Sequence, residues 1–136
     1  MVDSQDCTTS DLGDDVAYSA FQQKVSAWLT ACFPASVARD KEERTHRFLE
    51  EALELAQASG CSSAEAHQLV DYVFSRPPGE EVSEVGGVMV TLAGLCSASD
   101  IDLSNAAELE LERIWKRIDA IRAKQARRPA GSPLPQ

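Results

Sequence analysis

Residues 47–56 read Arg-Phe-Leu-Glu-Glu-Ala-Leu-Glu-Leu-Ala, the pattern of an amphipathic helix with an acidic edge. The apolar residues recur three and four positions apart and predict one broad apolar face. Glu50, Glu51 and Glu54 lie beside that face, and carboxylates spaced in this way disfavour one another's charged forms. Two interpretations follow: a solvated face on which Arg47 pairs with Glu50 or Glu51, or a site that holds a positive ion.

The ends of this helix are marked in the sequence. Asp40 and Glu43 have the spacing of a capping box at its start, although a start one turn earlier at Ser36 fits as well. Gly60 is placed to end the helix after residue 58.

A shorter helix follows. Ser62 and Glu65 form a second capping box, and the residues 77–79, Pro-Pro-Gly, close the segment. We expect four apolar side chains of this helix to face inward: Leu69, Val70, Val73 and Phe74.

The run 88–96 is apolar on all sides, so its periodicity fits a buried helix or a buried strand. We predict a helix because the run is long, lacks a partner strand and follows Glu80, Glu81 and Glu84, which favour a helix N-terminus. Gly86 and Gly87 oppose a helix by about 1 kcal/mol each. We therefore expect another backbone or a ligand to approach the helix at these glycines.

Two more helices complete the chain. Residues 16–33 have an amphipathic pattern that Pro34 ends, and a last helix begins at Asp102 or Ser104. The prediction is an all-α fold, a four- to five-helix bundle that is oligomeric. We expect a mobile acidic N-terminus over 1–15, the helical domain over 16–126 and a flexible proline-rich tail over 127–136.

The charge of this 136-residue chain is uneven: the net charge of −9 combines −14 over 1–111 with +5 over 112–136. Such an acidic chain is a poor general binder of nucleic acid, but it can hold an anionic substrate through divalent cations.

The four cysteines are widely spaced, which argues against a zinc site. No signal peptide is recognisable and the longest apolar run is too short to span a bilayer. We expect a reducing intracellular setting with no nucleic-acid or membrane partner.

The chemistry rests on two carboxylate sets, Glu50-Glu51-x-x-Glu54 and Glu81-x-x-Glu84, with Glu80 as an alternative in the second. If their helices pack side by side, the carboxylates converge on one cavity. Ligand sets made only of oxygen suit Mg²⁺ or Mn²⁺. Such ions offset phosphate charge and lower the pKa of bound water.

These two sets resemble the MazG-like superfamily of all-α nucleoside triphosphate pyrophosphohydrolases, which carries an EExxE helix and, some tens of residues later, an ExxD helix. The likeness covers about residues 39–124, and the segments 44–55 and 84–93 are most similar to the phage branch that contains the MazZ enzymes. There is one departure. Aligning Glu84 with the family Glu puts Gly87 at the Asp position, whereas aligning Glu84 with the Asp gives Glu81 the Glu role. The fourth ligand therefore stays open.

The resemblance implies a dimer or tetramer that cleaves (d)NTPs, dGTP or dATP above all, to the monophosphate and pyrophosphate. It implies two or three Mg²⁺ or Mn²⁺ ions held by Glu50, Glu51, Glu54, Glu81 and Glu84. Glu50 or Glu51 would orient or deprotonate the attacking water. Phosphate oxygens would contact Arg113, Lys116 and Arg117, for which a solvated helix face is the alternative. The setting would be the cytoplasm, that of the host if a phage encodes the chain, where dGMP would supply 2-aminoadenine nucleotide synthesis.

A second function class remains open at this point. The same pattern fits a non-enzymatic, all-α, oligomeric interaction or regulatory protein. In such a protein the acidic faces are solvated and the surplus apolar surface forms an interface between copies.

Overall fold

A computed structural model describes residues 17–134, and this part of the chain contains seven α-helices and no strand. In order they are α1 (Ala20–Cys32), α2 (Ala35–Ala38), α3 (Lys41–Ala58), α4 (Ser63–Phe74), α5 (Glu81–Ala98), α6 (Leu103–Trp115) and α7 (Ile118–Ala126). The all-α prediction is confirmed for these residues. The N-terminal stretch 1–15, expected to be mobile, lies outside the described residues.

The sequence located both ends of α3 correctly. An Asp40 carboxylate oxygen accepts a hydrogen bond from the backbone N–H of Glu43 at 3.2 Å, which caps the N-terminus. The earlier start proposed at Ser36 proves to be a separate one-turn helix, α2. Gly60 follows the C-terminus with φ of +94°, a left-handed conformation that glycine adopts without a Cβ penalty.

The next two helices also begin as predicted. The Ser62 hydroxyl accepts from the Glu65 N–H at 3.2 Å, and the Glu65 carboxylate accepts from the Ser62 N–H at 2.7 Å, which completes the capping box of α4. These hydrogen bonds lower the pKa of Glu65. The valine-rich segment forms α5, with the Glu80 side chain accepting from the Val82 N–H at 3.2 Å. The choice of helix over strand is therefore confirmed.

The buried core lies on α1, which packs against α2, α6 and α7. The Trp28 and Phe33 rings meet edge to face with their centroids 5.9 Å apart, beside the buried Cys32 and Leu111. Burial raises the pKa of the Cys32 thiol, which keeps this core cysteine neutral. The predicted last helix is two helices, because α6 ends at Trp115 and α7 starts at Ile118.

Arg122 fixes α7 to the end of α1. Its Nε donates to the Cys32 carbonyl at 2.6 Å, and its Nη2 donates to the Ala31 carbonyl at 2.5 Å. A guanidinium at a helix C-terminus satisfies carbonyls that have no partner inside the helix and complements the helix dipole. The break between α6 and α7 therefore turns α7 back onto α1.

Many large apolar side chains on α3, α4 and α5 are not covered within one chain. This outer apolar face comprises Phe48, Leu53, Leu69, Val70, Val73, Phe74, Val85, Val88, Met89 and Val90, all of them exposed. The inward orientation predicted for Leu69, Val70, Val73 and Phe74 is therefore wrong for the single chain, in which Phe74 is 84% exposed. The reason is that α3, α4 and α5 form no closely packed pair among the described residues. By length and composition alone, α5 is also apolar enough to cross a membrane.

Leu111→Ala is expected to lower the free energy of unfolding by about 2–4 kcal/mol, because it removes buried methyl groups and leaves a cavity beside Trp28. Leu109→Ala is the matched control: Leu109 lies on the same helix but is 56% exposed, so a loss of at most about 0.5 kcal/mol is expected. Urea denaturation followed by circular dichroism measures both. Equal losses in the two variants would contradict the assignment of the core.

Candidate functional site

A cavity of about 460 Å³ lies between α3, α6 and α7, with Trp28 and Phe33 at its α1 end. It collects all three acidic residues of the EExxE segment, because these lie on the face of α3 turned towards α6 and α7. The carboxylates that line it are Glu43, Glu50, Glu51, Glu54 and Glu110.

The same cavity collects much of the positive charge of an acidic protein. Its basic residues are Arg44, Arg47, Arg113, Arg117, Lys124 and Arg128. Six cationic side chains face five carboxylates here, although the chain as a whole carries a net charge of −9. An anion entering this cavity therefore meets a balanced or slightly positive surface.

Glu50 is held in a network of ion pairs. Arg47 donates to it from the preceding turn of α3, Lys124 Nζ lies 3.6 Å from its carboxylate and Arg128 Nη2 lies 3.2 Å away. Arg128 also contacts Glu43, with its Nη1 3.3 Å from a carboxylate oxygen. Of the two partners that the solvated-face interpretation offered Arg47, the structure shows Glu50, and Glu50 is already neutralised by protein cations.

Glu51 and Glu54 make no ion pair with any residue between 17 and 134. The pKa of Glu51 is raised, first by partial burial and then by the charges of Glu54, Glu110 and Glu50. A carboxylate surrounded by carboxylates gains most from a cation or from a proton. Glu51 is thus a carboxylate that a cation in this cavity would stabilise.

Glu110 stands opposite with its own partner. The Arg113 guanidinium donates to both of its carboxylate oxygens, with the Nε contact at 2.7 Å, and this bidentate pair lowers the pKa of Glu110 and raises that of Arg113. Both side chains are about half exposed. The pair therefore remains open to exchange partners with an incoming ligand.

The carboxylates predicted on α5 lie outside the cavity of their own chain. Lys41, the first residue of α3, donates from its Nζ to Oε2 of Glu81 at 2.6 Å. Ten residues separate Lys41 from Glu51, which is about 15 Å along a helix axis. Glu84 folds back over the loop, since a Cβ at Gly79 would overlap its Oε1. A single chain therefore does not bring Glu81 and Glu84 to Glu51 and Glu54.

Only two of the three predicted phosphate-binding residues line the cavity. Arg113 and Arg117 line the cavity, whereas Lys116 does not. The sequence interpretation missed Glu110, Lys124 and Arg128. Glu110 carried a usable signal, because the spacing Glu110-x-x-Arg113 places both side chains on one side of α6. Arg128 belongs to the stretch predicted as a flexible tail.

Oxygen ligands around Glu51 are of the kind that Mg²⁺ and Mn²⁺ prefer. Within residues 17–134, however, no three acidic, histidine or cysteine side chains come close enough together to hold one ion. The donor chemistry fits a hard divalent cation, and the ligand set of one chain is incomplete.

A second cavity of about 450 Å³ lies between α1 and α6. Its Lys24 and Glu108 neutralise each other at 3.2 Å, and it contains no cluster of carboxylates comparable to that of α3. The cavity beside α3 is therefore the stronger candidate site.

No protein family, curated protein or solved structure matches the chain. The resemblance to the MazG-like superfamily stays a prediction from the two carboxylate segments.

Proposed function

We propose that this chain is a divalent-metal-dependent pyrophosphohydrolase of nucleoside triphosphates. It cleaves a (d)NTP between the α- and β-phosphates to the monophosphate and pyrophosphate. The purine deoxynucleotides dGTP and dATP are the preferred substrates by the sequence resemblance, and a role in supplying dGMP for 2-aminoadenine nucleotides comes from the same source.

One observation supports this proposal above the others: among residues 17–134, Glu51 and Glu54 have no ion-pair partner, in a cavity that Arg113, Arg117 and Lys124 also line. A purely structural acidic face on a helix is normally solvated or neutralised. Here the unpaired acids and the cations line the same space. That division of charge suits a substrate which brings phosphates to the cations and metal ions to the acids.

The chain's own residues can be assigned to the steps of the reaction. The oxygen of water forms a bond to the α-phosphorus while the bond from that phosphorus to the bridging oxygen breaks, and pyrophosphate leaves. A carboxylate with a raised pKa, that of Glu51, suits the acceptance of the proton released by the water. Arg113 and Arg117 contact the phosphate oxygens and offset their charge.

Glu51 and Glu54 would hold Mg²⁺ or Mn²⁺, two or three ions per site by the resemblance. Such ions supply charge neutralisation on the triphosphate and a more acidic water. Because Glu50 is neutralised by Arg47 and Arg128, it serves the site by fixing these arginines rather than as a first ligand.

The protein also forms a homo-oligomer, a dimer or tetramer, in this proposal, and the bundle is completed by the second copy. The outer apolar face supports it, because large apolar side chains left exposed on three successive helices suit an interaction surface. Gly86 and Gly87 support it further, since a Cβ built at either meets no described atom within 4 Å, which leaves room for a second backbone. A second copy suits this face better than a bilayer does, because the exposed apolar residues lie on α3 and α4 as well as on α5.

A second copy also offers the missing ligands. Glu81 and Glu84 lie at the start of α5, on the element that carries much of the outer apolar face. Packing α5 of one copy against α3 of another would bring these carboxylates towards Glu51 and Glu54 of the partner. The four-carboxylate site would then form between chains.

The direct test is incubation of the purified protein with each NTP and dNTP plus Mg²⁺, with phosphorus NMR of the products. Pyrophosphate and the monophosphate are the expected products, and the rate should vanish on chelation of the metal. Millimolar Mg²⁺ should also raise the Tm by about 2–5 °C, because the ion binds the folded state alone. Orthophosphate as the sole released product, or no turnover of any triphosphate, would leave the interaction protein as the better description.

A further inference from the structure

The α1 end of the cavity contains guanidinium groups that are only partly hydrogen-bonded. We name Arg44, Arg47 and Arg128 the arginine corner; Phe33 and Trp28 form its floor. In the described part of the chain, no acceptor is found for the buried Nε atoms of Arg44 and Arg128, for Nη2 of Arg44 or for Nε1 of Trp28. Nε of Arg47, by contrast, lies 3.2 Å from a carboxylate oxygen of Glu43. Buried donors without acceptors are rare in folded proteins because desolvation is costly, and those present call for an explanation.

Arg128 is the most deeply placed of the three, with a side chain only 6% exposed. It spans Glu43 and Glu50 with its two terminal nitrogens, which leaves Nε directed at neither carboxylate. The ion pairs fix the guanidinium in place, and the residue lines the cavity.

Arg44 is the least compensated of the three. Its one ion pair is with the neighbouring Glu43, at 3.7 Å, beyond hydrogen-bond distance. Its guanidinium carbon lies 5.3 Å from the centroid of the Phe33 ring, a cation–π contact that holds it over the floor. Burial lowers the pKa of Arg44, which reflects the cost of keeping this charge away from water.

The corner has more guanidinium groups than carboxylates in ion pairs with them. Arg44, Arg47 and Arg128 share Glu43 and Glu50, and the carboxylate of Asp40 also acts on Arg44. A group that satisfies the remaining donors accepts several hydrogen bonds at once, and a negative charge on it suits the surplus of guanidinium groups. Phosphate oxygens have both properties, and the planar fork of arginine matches them in pairs.

We propose that the arginine corner binds pyrophosphate, both as the terminal two phosphates of the substrate and as the released product. The identity of this anion rests on the proposed function, whereas the need for an acceptor-rich anion rests on the corner alone. The corner and Glu51 line one cavity. A triphosphate with its α-phosphate at Glu51 would therefore extend its far end towards Arg128.

The test is calorimetric titration of inorganic pyrophosphate into the full chain in EDTA, so that neither metal binding nor turnover contributes. Arg128→Gln is expected to weaken binding about tenfold or more, the loss of charge-assisted hydrogen bonds. Arg127→Gln is the matched control, since it removes the same charge from an exposed neighbour. It should bind pyrophosphate within about twofold of the unmodified chain.

Equal affinities in Arg128→Gln and Arg127→Gln overturn the proposal, and so does an unmodified chain that binds no pyrophosphate at millimolar concentration. Circular dichroism shows whether Arg128→Gln is folded. If it is not, Arg44→Gln with Arg39→Gln as the exposed control gives the same comparison, and the same tenfold difference is required. A chain that binds pyrophosphate through Arg128 but hydrolyses no triphosphate keeps this inference and loses the proposed function. An active chain whose Arg128→Gln variant binds pyrophosphate normally keeps the proposed function and loses this inference.

Discussion

Glu51→Gln is expected to lower kcat for triphosphate hydrolysis by about 10³-fold. The substitution keeps the shape of the side chain but removes the group that takes a proton from water and the charge that attracts the metal. Glu51 has no cationic partner in residues 17–134 that the change would release, so the fold should survive. Steady-state release of pyrophosphate at saturating Mg²⁺ measures the effect.

The same variant has a second readout in metal-free protein. The folded-state pKa of Glu51 is raised, so the folded state holds its proton to higher pH than the unfolded state does. The stability contributed by that proton is present at low pH and is lost as the pH rises through the folded pKa. Glu51→Gln, which stays neutral, should therefore match the unmodified chain near pH 4. It should melt about 2 °C higher at pH 7, a small shift because the side chain is exposed.

Glu42→Gln serves as the control for both readouts. Glu42 lies in the first turn of the same helix and does not line the cavity. Its activity and its response to Mg²⁺ should stay within about twofold of the unmodified protein. A Glu51→Gln enzyme that retains more than about a tenth of the activity contradicts the role given to this carboxylate.

If the chain forms the proposed homo-oligomer, Met89→Glu is expected to convert it to single chains. Met89 lies in the middle of α5 and is 53% exposed in the single chain, as part of the outer apolar face. An unpaired charge at the centre of an apolar interface costs several kcal/mol on association, enough to weaken it by a factor of about 10³ or more. Light scattering after size exclusion should change from a multiple of the 14.7 kDa chain mass to that mass itself.

Ser83→Glu adds the same charge to the same helix at an exposed polar position, so it should leave the mass of the assembly unchanged. If the site forms between chains, Met89→Glu also lowers activity and Ser83→Glu does not. An unmodified protein that already runs as a single chain would contradict the homo-oligomer, and binding of that chain to lipid vesicles through α5 would then favour a membrane as the cover.

Local structure followed from the sequence because its signals are local. The capping residues Asp40, Ser62 and Glu65 and the left-handed Gly60 act within a few positions along the chain, and each is found in its predicted role. The inward orientation of Phe74 was wrong because an apolar stripe shows that a face is to be covered, not which chain covers it. The break between α6 and α7 has no strong breaker residue, and the contact of Arg122 with the end of α1 is a long-range interaction that periodicity does not reveal.

The candidate site, too, could be predicted from the sequence only where its signals are local. Three carboxylates on one face of α3 were readable from spacing alone, and the structure brings all three to one cavity. The partners of that face come from positions 110–128, and their identity depends on how α6 and α7 turn. Arg128 was the least predictable, because a stretch with prolines and a glycine has the composition of a loose tail even when one of its side chains is inserted into the protein.

The order of the charges along the chain has a consequence for biosynthesis. A ribosome makes the N-terminal part of a protein first, so the acidic face of α3 leaves the exit tunnel well before the cations on α6, α7 and Arg128 that neutralise it. Until those later residues emerge, the nascent chain carries Glu43 and Glu50 without Arg128. At that stage Glu43 and Glu50 have only Arg44 and Arg47 of their own helix as partners, and Arg128 completes the network last.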